Sequence, residues 1–153
     1  MTPDETLRLL EQRRPTRFID EILELDSEHI LTKYTWREED CAGHFPGNPV
    51  VPGVKMLEMA AQSGVMTWGA YLTGGALPEA ALTEADKVLF KKMLRPGQTT
   101  ACRASFGREG GLAEGRLAAE VELKFLGGPQ DGETIFTGRL AGAWPPRKPE
   151  NSK

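Results

Sequence analysis

The chain has 153 residues, long enough to bury a substantial core, and its 39% hydrophobic and 27% charged content is ordinary globular composition. A net charge of −3 gives no footing for nucleic acid as the main partner. No apolar run approaches the roughly 18 residues of a membrane span. The N-terminus shows no apolar export core, and two cysteines, Cys41 and Cys102, with no CxxC between them, predict neither a disulfide framework nor a zinc site. The expectation is a metal-free protein of a reducing, cytoplasmic setting, with one domain over residues 1–144 and a disordered tail over 145–153.

Thr2-Pro3-Asp4-Glu5 reads as a helix start, with Thr2 as the cap, Pro3 in the first turn and Glu5 closing a capping box. Leu7, Leu9 and Leu10 are expected to face inward, and the helix to stop before Pro15. Arg13, Arg14 and Arg17 form a small basic cluster of the kind usually found on a solvated surface. Strands are predicted over 18–25 and 30–36, joined by a turn at Asp26-Ser27-Glu28-His29, with His29 solvated and without a catalytic part. Arg37-Glu38-Glu39-Asp40 is a charged lead-in to the loop that begins near His44.

The centre of the chain is His44-Phe45-Pro46-Gly47-Asn48-Pro49-Val50-Val51-Pro52-Gly53. Three prolines bias their neighbours toward extended geometry, so 44–52 is predicted to be an ordered loop. From Val54 the pattern turns helical: Val54, Leu57, Ala61, Val65, Trp68 and Leu72 recur on one face. Met56, Met59, Ala60, Gly64 and Met66 make the other faces apolar too, so this helix belongs in a core. Glu58 within it demands a partner or a function, because a buried carboxylate is otherwise expensive.

Residues 74–86 are expected to be loop with at most a short helical piece. Strands are predicted over 87–93, 99–106, 112–125 and 134–144, with turns at Arg95-Pro96-Gly97-Gln98, Gly110-Gly111 and 127–132. Two strands, one buried helix and about four more strands give an α+β domain: an antiparallel sheet curled round one long central helix.

His44-Phe45-Pro46-Gly47-Asn48-Pro49, Pro52-Gly53-Val54, Glu58 and Ala61-Gln62 together resemble the signature of the hot-dog 3-hydroxyacyl-[acyl-carrier-protein] dehydratases. The glutamate at 58, where FabA has aspartate, places the resemblance nearer FabZ, and the 14-residue spacing from His44 matches. Arg13 to Asp20, and Asp86-Lys87, Phe90-Lys91 and Arg95-Pro96-Gly97, add weaker echoes, so the likeness spans roughly residues 7 to 142. It implies a hot-dog fold, no cofactor, an acyl thioester on acyl-carrier protein as substrate, and a homodimer or trimer of dimers. It also implies an acyl tunnel along the dimer interface, with the His and Glu of each site drawn from different protomers. The sequence departs from the pattern at Arg14, where the family carries an aromatic residue, often a gating tyrosine, and at Thr16 and Arg17, where apolar residues are usual.

Such a dehydration removes a proton from C2 and expels hydroxide from C3. The first step suits a histidine near neutrality, His44. The second suits a carboxyl group that burial keeps able to donate a proton or hold a water, Glu58. Developing charge on the thioester oxygen needs a fixed donor, which the N–H groups of Gly53 and Val54 at a helix start supply. Pro52 and Gln62 are support, with Gln62 one turn from Glu58 and able to hold it. A histidine in a loop is by itself as readily a backbone-satisfied residue; the composite motif is what favours chemistry. An acidic carrier protein would meet positive charge, for which Arg14, Arg17, Lys87, Lys91, Lys92 and Arg95 are candidates, a solvated sheet edge guarded by lysines being the equal alternative. Two other functions stay open: a hot-dog enzyme of different reaction, such as a thioesterase or a dehydratase-isomerase, and a non-catalytic acyl-binding subunit.

Overall fold

The structure, a computed structural model, describes residues 1–146. Helix α1 (Pro3–Arg8) opens as its sequence dictates: the Thr2 hydroxyl accepts from the Glu5 N–H, and the Glu5 carboxylate accepts from the Thr2 N–H. Leu10 is buried and Leu7 packs against the core, but Leu9, just past the helix end, is only half-buried. Strands β1 (Glu21–Leu25) and β2 (His29–Thr35) pair across a turn in which the Asp26 carboxylate accepts from the N–H groups of Glu28 and His29. His29 is not the solvated residue expected, for Glu24 and Asp26 both pair with its ring.

The sheet runs β1-β2-β4-β6-β7-β3 and is antiparallel throughout. The later strands are β3 (Ala81–Phe90), β4 (Thr99–Ser105), β5 (Gly111–Ala113), β6 (Arg116–Phe125) and β7 (Thr134–Ala143). Strand β3 starts well before the expected Lys87, because the backbone from Ala81 onward pairs along β7 with two register shifts. Its side chains are nearly all exposed or half-buried, so no apolar alternation marked it in the sequence. The stretch 112–125 is not one strand but the β5–β6 hairpin, turned at Glu114-Gly115, where Gly115 takes a positive φ. Of the expected tail, 145–146 have no regular structure and the remainder lies outside the described residues.

Across the sheet lies the central helix, built of α2 (Gly53–Ala61), a π-helical stretch (Gln62–Thr67) and α3 (Trp68–Thr73) that follow one another without a break. From Met59 to Ala70 every residue is buried. The helix seats closely because a glycine on each side of the layer, Gly64 in the helix and Gly142 in β7, leaves room for the side chains opposite. A Cβ on Gly64 would lie 2.9 Å from the Ala104 Cβ, and one on Gly142 of β7 would lie 2.3 Å from the Val65 Cγ1. Ser63, in the π-helical stretch, shares a 2.8 Å hydrogen bond with Thr32 of β2. One expected core residue is misplaced: Val54 is 72% exposed, because the first turn of α2 projects past the packed layer. Leu57 and Leu72 are half-buried. No helix among the described residues is long and apolar enough to cross a membrane.

Candidate active site

The loop that carries His44 is held at both ends and at its tip. The His44 N–H donates to the Cys41 carbonyl at 2.9 Å, and the Val50 N–H returns to the His44 carbonyl at 2.8 Å. Phe45 and Asn48 exchange two 3.0 Å backbone bonds round Gly47, whose positive φ makes the reversal possible. Val51 donates to the Leu94 carbonyl, and the Arg95 guanidinium reaches the Asn48 side-chain oxygen at 2.7 Å. The expected ordered loop is thus fixed by hydrogen bonds as well as by proline.

Within it, the His44 ring stacks on Phe45 and its Nδ1 lies 3.0 Å from the Val50 carbonyl oxygen. A carbonyl only accepts, so Nδ1 carries the proton and Nε2 is left with its lone pair. Nε2 has no hydrogen-bond partner among the described residues, which is the state a general base requires.

The loop runs directly into α2, whose cap residue Pro52 offers no side-chain bond to the helix start. The N–H groups of Gly53 and Val54 donate to no acceptor among the described residues. Unspent donors at the positive end of a helix dipole suit a developing oxyanion. Gly53 is approached from one side by the Phe90 ring, whose Cε1 would be 2.9 Å from a Cβ there.

Glu58 is half-buried one turn farther on, and its Oε1 accepts from the Gln62 side-chain amide at 3.1 Å. Gln62 is fully buried and spends its remaining capacity on the N-terminal segment, donating to the Thr16 carbonyl at 2.6 Å and accepting from the Phe18 N–H at 2.8 Å. The pairing expected from i,i+4 spacing is present, and it is one arm of a clamp from the helix to residues 16–18. No hydrogen bond joins His44 to Glu58 among the described residues of this one chain. No group of three or more His, Cys, Asp or Glu residues there could hold a metal.

The family model described as "ApeI-like: ApeI dehydratase" matches residues 26–121. A 3-hydroxyacyl-[acyl-carrier-protein] dehydratase FabZ of Oenococcus oeni is 36% identical, over 82% of this chain and 99% of its own. FabZ of Thermus thermophilus is 33% identical, over 80% of this chain and 94% of its own. The chain belongs to the FabZ/ApeI family of hot-dog dehydratases. In fold it is similar to the solved dehydratase heterocomplex ApeI:P from Xenorhabdus doucetiae, at a TM-score of 0.75 and 17% identity over 96% of this chain and 93% of that one. It is also similar to the E. coli PaaI protein of the phenylacetic acid degradation operon, at a TM-score of 0.59 and 16% identity over 92% and 88% of the two chains.

The six basic candidates for a carrier contact occupy different settings. Arg17 turns inward, its guanidinium donating to the carbonyls of Leu7, Leu10 and Gln12, and burial lowers its pKa. Arg14 pairs with Glu39 at 2.5 Å, and Arg95 braces the His44 loop. Lys92 pairs with Glu133, and Lys87 stands at the 4.0 Å limit from Glu109. Lys91 is exposed, and its ammonium has no partner among the described residues.

Sequence reasoning missed the support beneath the His44 loop. In the sequence Asp40 reads only as the end of a charged lead-in to the loop, yet it is 1% exposed. Its carboxylate accepts from the Tyr34 hydroxyl at 2.7 Å and the Arg37 N–H at 2.9 Å, while the Lys55 ammonium donates to its main-chain oxygen at 2.8 Å. Burial pushes its pKa up, opposed by the Tyr34 bond and the charges of Lys55 and Arg14. Tyr34 stands on the buried face of β2, and nothing in the sequence pairs it with Asp40. Both cysteines are buried; desolvation raises the pKa of Cys41 and pushes the Cys102 thiol up to about 12, which favours the uncharged thiol at each.

Proposed function

We propose that this chain dehydrates 3-hydroxyacyl thioesters on an acyl-carrier protein to trans-2-enoyl thioesters, within fatty acid or related lipid synthesis. The observation that carries the reading is the 3.0 Å contact of the His44 Nδ1 with the Val50 carbonyl, which fits an Nδ1–H donor and frees Nε2 to act as a base, in the loop that ends at the uncapped N–H groups of Gly53 and Val54. Nε2 takes the proton from C2, and the thioester oxygen gathers charge against those two N–H groups. Glu58, steadied by Gln62, assists departure of the C3 hydroxyl. The C2 proton and the C3 hydroxide together amount to one water, so the reaction balances without a redox or metal cofactor.

We infer further that the active unit is a dimer built along β3. This strand is one of the two edges of the sheet, and Leu89 and Phe90 on it, Met93 beyond it and Val54 and Phe45 beside the site are exposed apolar residues. The absence of a His44–Glu58 bond among the described residues of the chain supports a site in which each comes from a different protomer. Lys91, with its ammonium unspent, is the best-supported contact for an acidic carrier.

The test follows enoyl absorbance with 3-hydroxyacyl-carrier-protein substrates of several chain lengths. Wild type turns over, and His44→Ala and Glu58→Gln each lose roughly a hundredfold or more. A folded, dimeric wild type silent on every chain length would refute the reading in favour of an acyl-binding subunit. Release of free thiol instead of enoyl product would make it a thioesterase.

A further inference from the structure

The His44 loop and the Glu58 carboxylate rest on one shared anchor. Asp40 precedes Cys41, whose carbonyl receives the His44 N–H, so the backbone that starts the catalytic loop is fixed by whatever fixes Asp40. Two elements do so. From β2, Tyr34 donates its hydroxyl to the carboxylate; from α2, Lys55 reaches the Asp40 main-chain oxygen from a position one turn before Glu58. Tyr34 in turn packs edge-on against Trp36 at 4.8 Å and Phe18 at 5.7 Å between ring centroids. Phe18 is the residue whose N–H holds Gln62, and Gln62 holds Glu58.

We propose that Asp40 is a positioning residue for the dehydration, setting the His44 loop relative to the start of α2 through its bonds to Tyr34 and Arg37 and the Lys55 bond to its carbonyl. This deepens the dehydratase reading and rests on it for its kinetic consequence. Burying a carboxylate to 1% exposure is unfavourable unless it is bonded, and here Oδ2 accepts from both the Tyr34 hydroxyl of β2 and the Arg37 N–H, while Lys55 of α2 holds the residue's main-chain oxygen. Asp40 acts by shape and hydrogen bonding, so an amide that keeps an oxygen toward Tyr34 and the Arg37 N–H suffices. A methyl group, which offers no acceptor, does not. A base displaced by about an ångström loses rate at the chemical step and leaves substrate affinity alone.

Two readouts test this, one of them independent of any substrate. The chain has two histidines, so imidazole nitrogen resonances of ¹⁵N-histidine protein resolve into His29 and His44 once a His29→Gln variant assigns them. In wild type His44 shows the Nδ1–H tautomer. Asp40→Ala shifts it toward a mixture of tautomers and lowers kcat roughly tenfold or more, with KM within about twofold. Asp40→Asn keeps the wild-type signature and at least about half of kcat. Lys55→Met, which removes the bond to the Asp40 carbonyl together with the charge beside its carboxylate, moves signature and kcat in the direction of Asp40→Ala. It carries the test if Asp40→Ala does not fold. An unchanged His44 signature in whichever of Asp40→Ala and Lys55→Met folds overturns the proposal, as does a fall in Asp40→Asn equal to that in Asp40→Ala. A wild type without dehydratase activity would overturn the proposed function, while the spectra still decided whether Asp40 sets His44.

Discussion

Replacing Gln62 by leucine tests the clamp that joins the catalytic helix to the N-terminal segment. The side chains are similar in size, so no large cavity forms, but three hydrogen bonds of 2.6 to 3.1 Å disappear at a fully buried position. Phe18 is buried, so its N–H is left without an acceptor, a loss of about 1–3 kcal/mol. Thr16 is exposed, and its carbonyl turns to water at about 0.5–1.5 kcal/mol. The apolar replacement returns about 1 kcal/mol, leaving a net destabilisation of about 0.5–3.5 kcal/mol, at its upper end a sizeable part of the roughly 5–15 kcal/mol typical of a domain. Glu58 meanwhile loses the amide that orients it, so kcat falls as well. Urea unfolding at a fixed protein concentration, which keeps any dimer term constant, reads the first effect, and enoyl formation the second. An unchanged midpoint together with full kcat would show that the clamp neither holds the fold nor places Glu58.

Gly142→Ala puts a methyl group 2.3 Å from the Val65 Cγ1 and 2.9 Å from the Ala81 carbonyl oxygen, and is expected to destabilise by about 1–3 kcal/mol or more in the same assay; a neutral result would mean that β7 does not seat the helix. Val54→Asp places a charge on a 72%-exposed apolar residue beside the site. Sedimentation velocity should show a shift from dimer to monomer, and an undisturbed dimer would remove this surface from the interface. For Asp40 the folded-state pKa lies above the unfolded value of about 3.9, because burial disfavours its charge. The folded chain therefore binds the proton more tightly, and this group's contribution to stability falls as pH rises through the window just above that value. Asp40→Asn should raise the melting temperature at pH 7 relative to wild type, with the gap closing toward pH 4. A gap that widens on acidification contradicts the assignment.

The amino-acid sequence by itself determined the elements whose causes are local. The Thr2 cap, the Asp26 turn and the proline-stiffened loop follow from side chains acting on their own backbone, and the central helix from apolar residues recurring at its period. The Gln62–Glu58 pair was legible for the same reason, since i,i+4 spacing brings the two together whatever surrounds the helix. The tertiary structure alone decided what depends on distant partners. Strand β3 carries little apolar alternation and exists because β7 offers a ladder, so its start at Ala81 was hidden. Val54 fits the helical stripe yet lies outside, because burial depends on where the neighbouring layer ends. Arg17 fits a basic surface cluster yet is spent on backbone carbonyls near the end of α1. Asp40 stands in a run of acids, and nothing adjacent in sequence reveals that a tyrosine from β2 and a lysine from α2 close over it. Charge and hydropathy describe a residue's own preference, whereas burial and pairing belong to the whole chain.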